Sequence, residues 1–291
     1  MKSNKALFTL LLFFIVLFTS SCGLLQDLEV QLQQNNGQEA GLLEVHFIDV
    51  GQGDAIWIKA PQDQNILIDA GGNRYGDKVV EYLSNHGVAN LSAVIGTHPH
   101  EDHIGGLDRV IDHFAVEKVY MPKVLHNTKT FEDVLDAVDR KGLKISTAQA
   151  GVSLNLQGVD ASFLAPVSEK YKELNNYSAV LRLQYGSQVF LFMGDAEELS
   201  ESEMLGAYPQ TKLKASVLKV GHHGSKTSTG DEWLKAVDPK YAVILCGKDN
   251  SYGHPHKEIM EKLEEKGIEI YRTDEDGTVV FRSDGKTISV K

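Results

Sequence analysis

The sequence predicts an α/β four-layer sandwich, two mixed sheets packed face to face with helices outside, and three observations predict it. Strand-like runs fall into two blocks, residues 43–96 and 160–245, and helical patterns follow the strands in each. With 291 residues and a 42% hydrophobic share, the chain can bury a core of the size a domain of roughly 250 residues needs. Nothing inside residues 42–291 reads as a linker, so that range is taken as one domain.

Residues 1–21 precede this fold. Lys2 and Lys5, the largely apolar stretch from Ala6 to Phe18, and Thr19-Ser20-Ser21 before Cys22 resemble a bacterial lipoprotein signal, in which Cys22 becomes the acylated first residue. Plain secretion with cleavage after Ser21 and an uncleaved anchor are the alternatives, although so short an apolar stretch spans a bilayer poorly. The expectation is an exported protein, lipid-anchored to the outer face of a bacterial membrane through Cys22, or else secreted. Residues 22–41, rich in Gln and Asn, read as a flexible tether.

Cys22 and Cys246 are the two cysteines, so no disulfide framework is expected, and Cys246 reads as a small buried hydrophobe at the end of an apolar run. Loss of Lys2 and Lys5 with the leader takes the formal charge from -11 to -13. Such a protein does not attract polyanions in bulk, so a nucleic-acid substrate requires a local basic surface.

Strands are predicted at 43–49, 55–60 and 65–69, before any helix. Val79, Val80 and Leu83 give residues 77–86 helical spacing, stopped by Gly87, and the continuous apolar run at 93–96 reads as a strand buried on both faces. Residues 107–114 and 131–140 read as helices, with 116–121 extended between them. The second block has strands at 160–165, 178–185 and 188–193, the last two joined by a tight turn at Gly186-Ser187. A helix at 197–205, a strand at 216–220, a helix at 231–237, a strand at 241–245, a helix at 257–266 and short strands near Ile268, Val279 and Ile288 complete the pattern.

Thr97-His98-Pro99-His100-Glu101-Asp102-His103 follows the strand at 93–96 and packs three imidazoles and a carboxylate into six residues. His98 and His100 alternate inward while Asp102 and His103 turn the other way, so one loop can supply ligands to two neighbouring cations. Gly105-Gly106 then lets the backbone fold back on itself. A polar surface loop would not need four nitrogen and oxygen ligands at this spacing.

This His-x-His-x-Asp-His motif resembles that of the metallo-β-lactamase superfamily, and the resemblance covers the mature domain. It implies two divalent metal ions, Zn(II) first with Mn(II) as competitor, and no organic cofactor. Asp69 matches the early aspartate that orients the metal loop, Asp195 the carboxylate bridging both cations, and His222 is expected as the final ligand of the second metal, with His223 facing substrate. The segments at 47–55, which contains Asp54 as a further supporting carboxylate, at 175–178, at 219–226 and at 252–256 are similar to the extracytoplasmic hydrolase domain of the ComEC family of DNA-uptake proteins. From these, Asn176, Ser178, Ser225 and Lys226 are expected to contact substrate, and His254 with them. The usual third histidine of the first metal is missing, since His113 and His126 lie in the wrong contexts, so His98, His100 and Asp195 are expected to hold that ion alone.

Function is then expected to be hydrolysis of a phosphodiester, with Asp102 orienting the nucleophile and His223 or His254 protonating the leaving group. Lys212, Lys214, Lys219, Lys226, Lys235 and Lys240 form the basic tract of the chain and are expected to surround His222 and favour DNA. An esterase for a small cell-wall phosphodiester and a non-catalytic module with a structural metal are the alternatives; four closed ligands would suffice for the latter, and a bridging Asp would be superfluous.

Overall fold

The computed structural model describes residues 41–291. Its first sheet has eight strands in the order Ile288–Val290, Val279–Ser283, Leu43–Phe47, Ile56–Ala60, Gln64–Ile68, Ala93–Ile95, Val119–Met121 and Ile145–Thr147. The second has seven, in the order Glu269–Arg272, Tyr241–Ile244, Val217–Lys219, Gln188–Phe192, Val180–Tyr185, Asp160–Ala165 and Ser153–Leu154. Each sheet mixes antiparallel hairpins with parallel strands.

Alternation along the strands builds the layers. Val45, Phe47, Ile56, Ile58, Ile66 and Ile68 meet Phe163, Leu181, Leu183, Phe190 and Phe192 of the other sheet in one apolar core. The residues between them, such as Trp57 and Leu67, face outward onto helices Gly76–Asn85, Leu107–His113 and Lys129–Arg140. Leu191, Leu218 and Ile244 do the same for helices Glu198–Ala207, Asp231–Val237 and Lys257–Glu265. The expected four-layer αββα order follows.

Two local expectations change. The extended stretch at 116–121 is split: Ala115–Val116 pairs with Asn90–Leu91 in a separate two-stranded sheet, and only Val119–Met121 joins the large one. Gly105 and Gly106 turn the metal loop with negative φ, so left-handed freedom is not their use. A side chain on Gly106 would strike the Ala70 carbonyl, and one on Gly105 the backbone of Gly72 and Asn73. Their smallness lets two loops touch.

Residues 1–40, which carry the predicted signal, Cys22 and most of the tether, lie outside the described residues. Among the described residues no helix is long and apolar enough to cross a membrane.

Candidate metal centre

The loops that carry the chemistry leave the strands at one edge of the sandwich. Asp69 follows Gln64–Ile68, the histidine loop follows Ala93–Ile95, Asp195 follows Gln188–Phe192, and His222 and His223 follow Val217–Lys219. Asp69 is left-handed at φ 56 and wholly buried. That turn aims its carboxylate at the next loop, where it accepts from the Thr97 amide (2.8 Å), the Thr97 hydroxyl (2.6 Å) and His103 Nδ1–H (2.9 Å). Burial raises the Asp69 carboxyl above its ordinary range, and the His103 bond only partly offsets this. The histidine loop is thereby clamped from behind.

Four donor atoms converge in front of it. His103 Nε2 lies 3.3 Å from His223 Nε2, 3.2 Å from Asp195 Oδ1 and 3.9 Å from Asp102 Oδ2; His223 Nε2 lies 3.3 Å from Asp102 Oδ2 and 3.4 Å from Asp195 Oδ2. Ligands held about 2.0–2.1 Å from a tetrahedral zinc are spaced about 3.3 Å from one another, so this donor set fits such an ion. Its tautomers fit too. His223 Nδ1–H donates to the Leu245 carbonyl at 2.8 Å and His103 Nδ1–H to Asp69, so Nε2 is the nitrogen that each turns toward the cluster. Asp195 Oδ1 is buried with no hydrogen-bond partner, an orphaned anionic oxygen of the kind a cation satisfies.

The fold separates the histidine pair, and it is His223 that stands among these donors. His223, with 1% side-chain exposure, joins the cluster, while His222, at 22%, lies beside it. Both are left-handed, at φ 53 and φ 46, and this kink sends the imidazoles in different directions. His222 Nδ1 faces Thr227 Oγ1 at 3.1 Å and Glu197 Oε1 at 3.3 Å, and its Nε2 is 3.7 Å from Asp195 Oδ2. The same Oδ2 is 3.9 Å from His98 Nε2, and His100 Nδ1 is 2.9 Å from His98 Nε2. Asp195 thus presents oxygens toward both groups of imidazoles.

Charge follows this packing. Burial alone would raise the Asp195 and Asp102 carboxyls, but His103 and His223 outweigh it and hold both below the usual carboxylate range. Burial would lower His103 and His223, and the surrounding carboxylates lift both well above an ordinary imidazole. His98 and His100 are lowered, chiefly by burial. Burial and the neighbouring histidines push His254 down to about 4; its ring is 5.4 Å from that of His222 and 6.1 Å from that of His223.

Asp54 lies beside the cluster. Its Oδ2 is 2.5 Å from Lys219 Nζ and its Oδ1 3.4 Å from His223 Nδ1, and its amide donates to the Asp102 carbonyl at 3.1 Å. Gly53 allows this approach, because a Cβ there would overlap that carbonyl.

The expected substrate contacts fare differently. Ser178 is fully buried, with its hydroxyl accepting from the Asp195 amide at 3.0 Å and lying 3.4 Å from His98 Nδ1. Asn176, also buried, donates to Glu197 Oε2 at 3.2 Å and accepts from the Ser200 amide. Ser225 is buried against Thr227. None of the three lines the cleft over the cluster; Ser178 braces Asp195 from behind, while Asn176 and Ser225 bond Glu197 and Thr227, which face His222. Lys226 is exposed, with its amide donating to His256. Nor do the lysines form one surface: Lys219 is buried, while Lys212 and Lys214 pair with Asp160 and Asp238 before the strand that His222 follows, roughly 15–20 Å away at the strand rise. Reading sequence alone also missed Glu197 and Arg74, the latter lining the cleft, and placed Lys219 in the basic tract without its buried partner. Lys219, a charge inside an apolar strand run, was the one with a visible signal.

Comparison with known proteins agrees with this geometry. Residues 48–248 match the sequence profile of the Metallo-beta-lactamase superfamily. The chain is 35% identical over 256 residues to ComE operon protein 3 of Bacillus subtilis (strain 168), covering 82% of this chain and 33% of that protein. It is 30% identical over 234 residues to Competence protein ComA of Neisseria gonorrhoeae, covering 80% and 31%. The chain thus spans about a third of the length of the curated relatives it matches. Among solved structures, the metallo-beta-lactamase fold protein YhfI from Bacillus subtilis superposes with a TM-score of 0.56 at 15% identity, covering 84% of this chain and all of that one, a likeness of fold.

Proposed function

The chain belongs to the metallo-beta-lactamase superfamily of metal-dependent hydrolases, and from that premise we propose that it is a phosphodiesterase acting on extracellular DNA, held at the cell surface by lipid on Cys22. The carrying observation is its 30–35% identity, over most of the chain, to ComE operon protein 3 and Competence protein ComA, together with a cleft of about 600 Å³ that opens onto the His103, His223, Asp102 and Asp195 cluster.

Two divalent cations fit the residues. His103, His223, Asp102 and Asp195 would hold one, with Zn(II) the expected ion and Mn(II) a competitor; His98, His100 and Asp195 would hold the other, and His222 Nε2, 3.7 Å from Asp195 Oδ2, is a further donor beside them. When bound, the pair supplies an activated water and neutralises charge gathering on phosphoryl oxygens.

The protein's own part is positioning. Asp69 and Leu245 fix the His103 and His223 tautomers, and Ser178 holds the Asp195 amide, so the donors stay aimed without rearrangement. Asp102, whose carboxylate stays ionised, accepts a hydrogen bond from the attacking water and orients it. His254, at the rim, hydrogen-bonds a phosphoryl or leaving oxygen.

The test is hydrolysis of DNA by the metal-loaded protein beside a phosphocholine ester. Release of nucleotides is expected; turnover of the ester with intact DNA would replace this reading with that of a wall esterase.

A further inference from the structure

Tyr252 stands 64% exposed at the mouth of the cleft, yet it is not loose. Its ring stacks on that of His254 at 5.6 Å between centroids with planes 20° apart, and the side chain still keeps most of its surface open to solvent. Asn250 braces the loop beneath it: Oδ1 accepts from the Tyr252 amide at 3.1 Å and the His254 amide at 3.0 Å, while Nδ2 donates to the Gly247 carbonyl at 2.9 Å. An exposed aromatic ring fixed in this way is a preorganised flat surface beside the reacting groups.

Arg74 lines the same cleft and is the one Arg or Lys among the described residues that does. Its guanidinium lies 4.7 Å from the centre of the Tyr75 ring, and among the described residues it forms no ion pair. Glu101, the nearby carboxylate on that wall, is occupied by the Asn73 amide at 2.8 Å. A planar cation without a carboxylate partner, in a cleft whose other charged lining residues are Glu101, Asp102 and Asp195, suits a phosphate.

We infer that Arg74 and Tyr252 clamp one unpaired nucleotide of the substrate, Arg74 on a phosphate and the exposed ring of Tyr252 on a base, so that the centre acts on single-stranded nucleic acid. The inference rests on the phosphodiesterase reading above. An internal base of a duplex has both faces covered by its neighbours and cannot lie on Tyr252, whereas every base of a flexible strand has a face to offer.

The experiment measures kcat and KM of the metal-loaded full chain on a single-stranded oligonucleotide, on its duplex and on bis(p-nitrophenyl) phosphate, which carries no base. The parent should prefer the single strand to the duplex by about tenfold or more. Tyr252→Ala should lower kcat/KM for the single strand, relative to the small diester, about tenfold and mainly through KM, while Tyr252→Phe keeps the parent ratio. Arg74→Gln should raise the same KM and reduce the salt slope by about 0.7. DNA cleavage in which duplex and single strand are equal, or in which Tyr252→Ala keeps the parent ratio, overturns the clamp and leaves the DNA reading standing. Turnover of the diester with no cleavage of any DNA overturns both.

Discussion

Lys219 Nζ lies 2.5 Å from Asp54 Oδ2, and both side chains are shut away from water. Lys219 also donates to the Gly194 carbonyl at 2.7 Å, next to Asp195, so one ammonium ties together the two loops that back the metal centre. Burial would raise the Asp54 carboxyl; the Lys219 charge outweighs it and keeps Asp54 low and ionised. Replacing Lys219 by Met leaves that carboxylate buried without its counter-ion, a change that typically costs about 3–5 kcal/mol. Chemical denaturation should show that loss, and the double variant Asp54→Asn, Lys219→Met should recover most of it. Equal stabilities for the single and double variants would mean that the pair is not coupled.

His223 and His222 should separate in metal binding. His223 belongs to the four-donor cluster, and its removal takes away a ligand that nothing nearby replaces, so His223→Ala should lose about one metal equivalent per chain on elemental analysis after desalting. His222→Ala should keep that equivalent and weaken only the other, because its Nε2 stands outside the four-donor cluster, 3.7 Å from the Asp195 Oδ2 that His98 Nε2 also approaches at 3.9 Å. The opposite pattern would restore the order that the sequence suggests.

Why the sequence pointed to His222 is instructive. Adjacent histidines after a strand look equivalent in sequence, and only the left-handed backbone at both residues decides which one turns inward. The four layers were legible because strand alternation and helix spacing report burial directly, and the His98 to His103 motif was legible because its spacing is local. Asn176, Ser178 and Ser225 read as substrate contacts because motif position carries no depth; in the fold they lie beneath the ligands. Lys219 was counted with an exposed basic tract although its neighbours Val217, Leu218 and Val220 mark a buried strand. That charge needed Asp54, far away in sequence, to make sense.

Glu201 should give stability a pH dependence away from the metals. It is buried, accepts from the Thr229 amide (2.6 Å) and the Gly230 amide (2.9 Å), and burial pushes it up to about 7 from an ordinary 4.5. Because the folded state holds this proton more tightly than the unfolded chain, the stabilisation is complete below about 4.5 and is lost as pH rises to about 7. The change is ~3 kcal/mol at most. Glu201→Gln should therefore flatten the fall in unfolding free energy between pH 5 and 7 relative to the parent. Parallel curves for the two proteins would show that Glu201 ionises normally in the fold.

Lys212 and Lys214 provide the last discrimination. Both precede the strand Val217–Lys219, whereas the histidine pair follows it, and each already faces a carboxylate, Lys212 at 3.7 Å from Asp160 and Lys214 at 3.2 Å from Asp238. Phosphates engaged at the metal cleft do not reach that edge unless the strand wraps round the sandwich. Changing both lysines to Glu should cost no more than about 1 kcal/mol each in stability, as exposed pairs do, and should leave the KM for DNA within about twofold and its salt slope unaltered. A KM several-fold higher, with a slope flattened by about 0.7 per lysine, would instead place the nucleic-acid path along the far edge of the second sheet.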